Sequence, residues 1–179
     1  MSATTEQPIA TIVDAKPTRK KRHFSIFNEC QITKKVVLPI TAIGRNISEV
    51  LLKTISAMVC GKCIVEGFVK QDSVKLVTYS SGLVKGDKVV FDVMFKCDVF
   101  YPVSGMVLKC KVENVNKSGF GAVSLFEKPS PFVVFVARDH FYDNSAFNSV
   151  KPNDECTVSV IAQRFELNDP FVSIIAELV

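Results

Sequence analysis

The sequence predicts an α+β protein in which a helix lies on an antiparallel sheet and a five-stranded OB-fold barrel follows. Three observations predict it. Residues 46–61 hold apolar side chains at helical spacing, and residues 89–101 alternate in the two-residue period of a half-buried strand. After Gly105, five short β-rich runs are separated by turns built on Gly, Pro, Asn and Asp. Five strands in that layout make a small barrel that binds oligonucleotides on one face through aromatic and basic side chains, and that does no chemistry itself.

The elements follow in order. Residues 1–23 hold Pro8 and Pro17 among Thr, Ala, Lys and Arg, show no sustained period, and read as a disordered tail. Residues 24–38 are rich in Phe, Ile and Val and read as extended structure ending at Pro39. A helix is expected next. Asn46 suits the N-cap, Glu49 completes a capping box, and Ile47, Val50, Leu51, Ile55, Met58 and Val59 form one apolar face that ends at Gly61. Strands are expected over residues 63–70, 74–80 and 89–101. In the last, Phe91, Val93, Phe95, Cys97, Val99 and Tyr101 form the apolar side, which the helix should cover. This first unit spans residues 24–101, and Pro102 and Gly105 end it.

The barrel occupies residues 102–179. Its strands are expected over 106–115, 120–126, 132–136, 156–164 and 171–178. The turn Asn116-Lys117-Ser118-Gly119 joins the first two, and Asn168-Asp169-Pro170 joins the last two. Residues 138–147 read as irregular or briefly helical. The long strand of the first unit should run toward the barrel without a loose linker, which would hold the two units at a fixed angle.

Charge narrows the class of partner. The net charge is +4, but five basic residues against two acidic ones before Phe24 leave only +1 for the other 156 residues. A body so near neutrality does not grip duplex DNA through many phosphate contacts, whereas local contacts to a single strand stay open. The cluster Lys16 to His23 reads equally as a nuclear-import or nucleic-acid contact and as a solvated tail. Hydrophobic residues make up 47% and charged residues 22%, enough to build a core. No apolar run reaches the ~18 residues of a membrane span, and no signal-peptide segment is seen, so an intracellular soluble protein is expected.

The six cysteines, Cys30, Cys60, Cys63, Cys97, Cys110 and Cys156, are expected to be free thiols in or near the core. Cys60 and Cys63 have zinc-knuckle spacing, but no second ligand pair stands at a matching distance, so no metal is expected. Nor does a catalytic constellation appear. His23 lies in the tail, His140 beside Asp139 in a loop, and no nucleophile motif or phosphate-binding glycine loop accompanies them. No enzyme activity and no cofactor are expected of the chain alone. Binding residues are easier to nominate: Lys109, Lys111, Lys117, Arg138 and Arg164 for phosphates, and Phe120 for base stacking, although Phe120 reads equally as a core residue and the lysines as side chains that merely face solvent.

With both units placed, residues 24–179 resemble the stalk subunit of multisubunit DNA-dependent RNA polymerases, seventh-largest in the eukaryotic enzyme, with archaeal and viral counterparts. The resemblance lies in Ser81-Gly82-Leu83-Val84-Lys85-Gly86-Asp87 followed by Val90-Phe91-Asp92-Val93, and in Val99-Phe100-Tyr101-Pro102 leading to Gly105-Met106-Val107. It continues in Ser118-Gly119-Phe120, in Pro131-Phe132 through Phe135-Val136, and in Gln163-Arg164 ahead of Phe171-Val172-Ser173-Ile174. From Gly105 onward the chain is also similar to the RNA-binding barrel repeated in the largest protein of the bacterial small ribosomal subunit. Ala137 stands where that barrel commonly has a histidine, which implies a weak RNA contact.

The resemblance implies a non-catalytic subunit in two parts. An N-terminal tip would dock on the polymerase core near the clamp, with Pro39, Ile40, Ile43, Gly44, Gly82, Leu83 and Gly86 as the docking residues. The barrel would stand beside the RNA exit path and touch nascent RNA, and a smaller helical partner would bind along both parts. Support of initiation is implied, in the nucleus or, for a virus-encoded chain, at a viral transcription site or in the virion. The alternative is a free-standing OB-fold RNA-binding protein of translation or RNA turnover, for which the apolar turn Pro39-Ile40-Thr41-Ala42-Ile43 would have no use.

Overall fold

The protein is described by a computed structural model over residues 25–138 and 150–179. The basic tail, the pair Asp139 and His140 and the expected irregular stretch beyond Arg138 lie outside the described residues.

The first unit is organised around one long strand. β1 (Asn28–Pro39) is followed by a 3-10 turn (Ile40–Ala42), helix α1 (Ile47–Val59), the short strands β2 (Cys63–Ile64) and β3 (Gly67–Val69), then β4 (Lys75–Tyr79), β5 (Leu83–Lys85) and the long β6 (Lys88–Phe100). β6 pairs with β1 along one side, and with β5, β4 and β3 in turn along the other, all antiparallel. The two-residue period of β6 puts Val89, Phe91, Val93, Phe95, Cys97 and Val99 on one buried face, and α1 lays Leu51, Ile55 and Val59 over it. Those three recur at four-residue steps, which forms a single stripe down the helix.

Four local expectations change. Asn46 holds the N-cap position, but its side chain makes no capping bond. The first turn is closed by backbone instead, with the N–H groups of Glu49 and Val50 both donating to the Asn46 carbonyl, so no capping box forms. Met58, placed on the apolar face by spacing, is exposed. The strand expected over 63–70 is a tight hairpin of β2 and β3. Gly67 has φ +126°, and a Cβ there would stand 2.5 Å from the Phe100 carbonyl oxygen, so the chain needs glycine to pass that close to β6. The loop expected at 82–87 contains a strand, β5, folded back on β6 through Gly86 at φ +64°.

The barrel is closed, in the order β7-β8-β9-β11-β10 and back to β7: β7 (Val107–Asn116), β8 (Gly119–Ser124), β9 (Phe132–Ala137), β10 (Glu155–Arg164) and β11 (Val172–Leu178). Each expected strand is recovered to within one or two residues. β9 and β11 run parallel and the other neighbours antiparallel, an arrangement that fits the OB-fold. Leu108, Cys110, Val112, Phe120, Val134, Val158 and Ile174 point inward and fill the interior.

The two sheets change over in residues 101–106, and the barrel core runs on into the first unit through Phe27, Cys63, Phe68 and Phe100. Tyr101 was expected on the buried face of the long strand, with Phe100 opposite. Instead the strand passes from one core to the next. Phe100 is fully buried against Phe132, ring centroids 5.2 Å apart, while Tyr101 is exposed and meets Phe165 edge to face at 6.1 Å. Backbone bonds join the same surfaces: the Cys63 N–H donates to the Asp169 carbonyl and the Asn168 N–H to the Cys63 carbonyl, each at 2.8 Å. Lys70 adds an ion pair to Glu127 at 3.2 Å and lies 4.8 Å from the centre of the Phe27 ring.

Candidate functional site

Two surfaces gather the candidate residues. The first is the outer face of the barrel over β8, β9 and β11. Inward and outward side chains alternate along each strand, so cross-strand register fixes which residues share the outside. One outward row runs Asn114, Gly121, Phe135, Ile175, Ala162; the next runs Lys111, Val123, Val133, Ser173, Arg164. Lys111 and Arg164 therefore bracket a row whose middle is two valines and a serine. At one end the Arg138 N–H donates to the Ser118 carbonyl at 2.9 Å, which brings Arg138 beside the turn that carries Lys117.

Phe120 is not on this face. It is fully buried, paired in register with inward-facing Val136, so its ring belongs to the barrel packing and is withdrawn from stacking on a base. An exposed ring on this face is Phe135, at 43% accessibility, paired with Gly121. A Cβ at Gly119 would stand 3.0 Å from the tip of the Phe135 ring, so that ring rests on bare glycine backbone, which fixes it in place while part of it faces solvent. The sequence held the signal for this residue. Once Phe132 is inward, a two-residue period sends Phe135 outward.

Lys109 stands apart from the group. It lines a groove of about 460 Å³ at the junction of the two units, together with Ile26, Val107, Phe126 and Phe132. Lys109, Lys111 and Lys117 take part in no ion pair among the described residues, whereas Arg164 holds Glu166 at 3.2 Å on the open surface, a contact that salt and solvent weaken. Glu155 lies opposite Lys111 in register. The face thus combines one seated aromatic ring, aliphatic neighbours and a few cations offset by carboxylates.

The second surface is the end of the first sheet. Pro39 pairs with Lys88, and the Ile40 N–H donates to the Asp87 carbonyl at 3.0 Å, so the turn after β1 is tied to the β5–β6 hairpin. This brings the segments 39–45 and 82–87 to one edge. Val37, Ile40, Ile43, Leu83 and Val84 are all exposed there, the last two by 60% or more. Gly82 lies flat on β6, because a Cβ would stand 2.5 Å from Val89 and 2.8 Å from the Phe91 ring; Gly44 has open space around it. Leu83 and Val37 share the register row of Val90, and Val84 that of Val89, so the exposed apolar side chains lie on both faces of the sheet end.

Cys60 and Cys63 fall into different cores, Cys60 against that of the first sheet and Cys63 in that of the barrel. Burial, with the Asp169 carboxylate beside it, pushes the Cys63 thiol up to about 11. Among the described residues, no cluster of three or more His, Cys, Asp or Glu side chains is arranged to hold a metal ion.

Fold and surfaces together define a two-unit β protein of the OB-barrel class, fused to a sheet that ends in an apolar tip. The chain is 32% identical over 130 residues to subunit 7 of DNA-directed RNA polymerase II from Arabidopsis thaliana, a match that covers 64% of this chain and 70% of that protein. It is 25% identical over 172 residues to a putative DNA-directed RNA polymerase subunit of Acanthamoeba polyphaga mimivirus, covering 86% of this chain and 82% of that one. No protein-family model matches. The chain belongs to the family of RNA polymerase subunit 7, the stalk subunit of multisubunit DNA-dependent RNA polymerases.

Proposed function

We propose that the chain docks on the polymerase core through its apolar tip and carries the barrel outward as a non-catalytic stalk. The observation that carries this reading is that Val37, Ile40, Ile43, Leu83 and Val84 are all exposed at one end of the sheet, where the turn after β1 is tied by backbone to the β5–β6 hairpin. A free-standing RNA-binding protein would leave those side chains without a role. The neighbouring clamp is the surface it would cover, and a smaller helical partner would lie along both units. Docking would bias the clamp between its open and closed positions, a population shift and not a chemical step, and so support initiation. The chain would act where its polymerase acts, in the nucleus or at a viral transcription site.

The barrel face supports a weak contact to emerging single-stranded RNA. Phe135 would stack on a base, and Lys111, Lys117, Arg138 and Arg164 would lie along the phosphates. The docking reading is tested by Ile40→Asp together with Leu83→Asp. Both residues are exposed, so the fold should survive. The doubly substituted protein should lose the largest polymerase subunits from its co-purifying set; retention of those subunits would sink the docking reading.

A further inference from the structure

Each sheet carries two cysteines set directly opposite each other on neighbouring antiparallel strands. Cys30 faces Cys97 across β1 and β6, and Cys156 faces Cys110 across β10 and β7. Each pair joins a buried thiol, Cys97 or Cys110, to a half-buried one, Cys30 or Cys156, and all four are free. Directly opposite residues on antiparallel strands point to the same side of the sheet. Their spacing depends on the ladder. The Ile40 N–H donates to the Asp87 carbonyl, and the Val112 N–H to the Asp154 carbonyl, at pairs an even number of steps from the cysteines. Both cysteine pairs therefore occupy hydrogen-bonded sites, with Cα atoms ~5.5 Å apart. That lies inside the ~4.4–6.8 Å range a disulfide spans, but the Cβ atoms, ~5.5 Å apart, must close toward ~4 Å. A bond made this way carries strain, and strained disulfides are the readily reduced ones.

We propose that Cys30–Cys97 and Cys110–Cys156 are two reversible cross-strand disulfide sites, loaded by exchange with a small-molecule disulfide such as oxidised glutathione. The half-buried thiolate, Cys30 or Cys156, attacks one sulfur of the small disulfide and expels the first thiolate. The buried partner then gives up its proton and attacks the mixed disulfide, expelling the second. One sulfur–sulfur bond is broken and one is formed in the protein; the small disulfide gains two electrons and takes up the two protons the cysteines lose. Burial holds the Cys97 and Cys110 thiols up at about 12, so the second step is slow near neutrality and quickens as pH rises. Asp98 and Glu66 near Cys97, and Asp154 near Cys156, act in the same direction.

The test uses the reduced full-length chain, held under native conditions with oxidised glutathione at about pH 8.5, quenched with acid, alkylated and mapped by mass spectrometry. The expected products are two cross-linked peptide pairs, Cys30 with Cys97 and Cys110 with Cys156, each two hydrogens lighter than its reduced form and each released by dithiothreitol. Cys97→Ser and Cys110→Ser should stop the reaction at a glutathione adduct on Cys30 and on Cys156 respectively. Cys60 packs against the same core as Cys30 and Cys97 from the end of α1, which makes it the natural competitor. A Cys60–Cys97 link, a lasting adduct on the unsubstituted chain, or four unmodified thiols would each overturn the assignment at the pair concerned.

Discussion

Phe120 and Phe135 sit on paired strands one residue out of step, and that step gives them opposite roles. Phe120→Ala should cost ~3–5 kcal/mol of stability, read from denaturant unfolding, because it empties a fully buried site in the barrel core. Phe135→Ala should leave stability nearly unchanged and weaken binding of a single-stranded oligonucleotide by ~1–3 kcal/mol, read by fluorescence anisotropy. An unchanged affinity would remove the ring from the proposed RNA contact. The buried thiols set a limit at high pH. Burial pushes Cys97 and Cys110 up to about 12 and Cys63 to about 11 from the ordinary value of 9.0. Between those values the unfolded chain releases thiol protons that the folded chain keeps, so the unfolded state binds fewer protons and stability falls as pH rises. The urea midpoint of the reduced protein should hold steady up to about pH 9 and then decline toward about pH 11, and a flat profile would contradict the burial of these groups.

The elements show where sequence pattern was informative. Gly119→Ala should destabilise the β8–β9 pair by more than ~1 kcal/mol, because a Cβ there meets the Val136 carbonyl and displaces the Phe135 ring; loss of slow amide exchange in β8 and β9 would report it. Two-residue alternation located β6, β7 and β10, β-rich runs between Gly, Pro, Asn and Asp turns located the other three barrel strands, and helical spacing located α1. Three kinds of feature escaped. The β2–β3 hairpin and β5 are too short for a period to register, and they exist because glycines at 67 and 82 let them lie close to β6. The capping bond at Asn46 gave way to backbone bonds. Phe120, which the sequence left open between a stacking ring and a core residue, is settled as core because barrel closure decides which face is inside. The apolar tip was legible as a run of apolar residues after Pro39, but its second half, Leu83 and Val84, joins it through the pairing of β1 and β5 with β6 and the Ile40–Asp87 bond.

On the scale of the whole molecule, the barrel and the first sheet share packing through Phe27, Cys63, Phe68 and Phe100. Thermal unfolding should accordingly show one cooperative transition, with calorimetric and van't Hoff enthalpies in agreement; two resolved transitions would separate the units. Phe100→Ala should lower that single transition by ~3–5 kcal/mol of stability, whereas Lys70→Ala, which breaks a part-exposed ion pair, should change it by no more than ~1 kcal/mol. The 2.8 Å bonds between Cys63 and the loop at Asn168 and Asp169 bear on mechanics as well as stability. They close a second strut beside the covalent crossing at 101–106, and a body held at two points cannot hinge at either. If the tip docks as proposed, a small tilt imposed there would be carried to the far end of the barrel, where distance from the pivot magnifies it, and the chain would work as a lever arm.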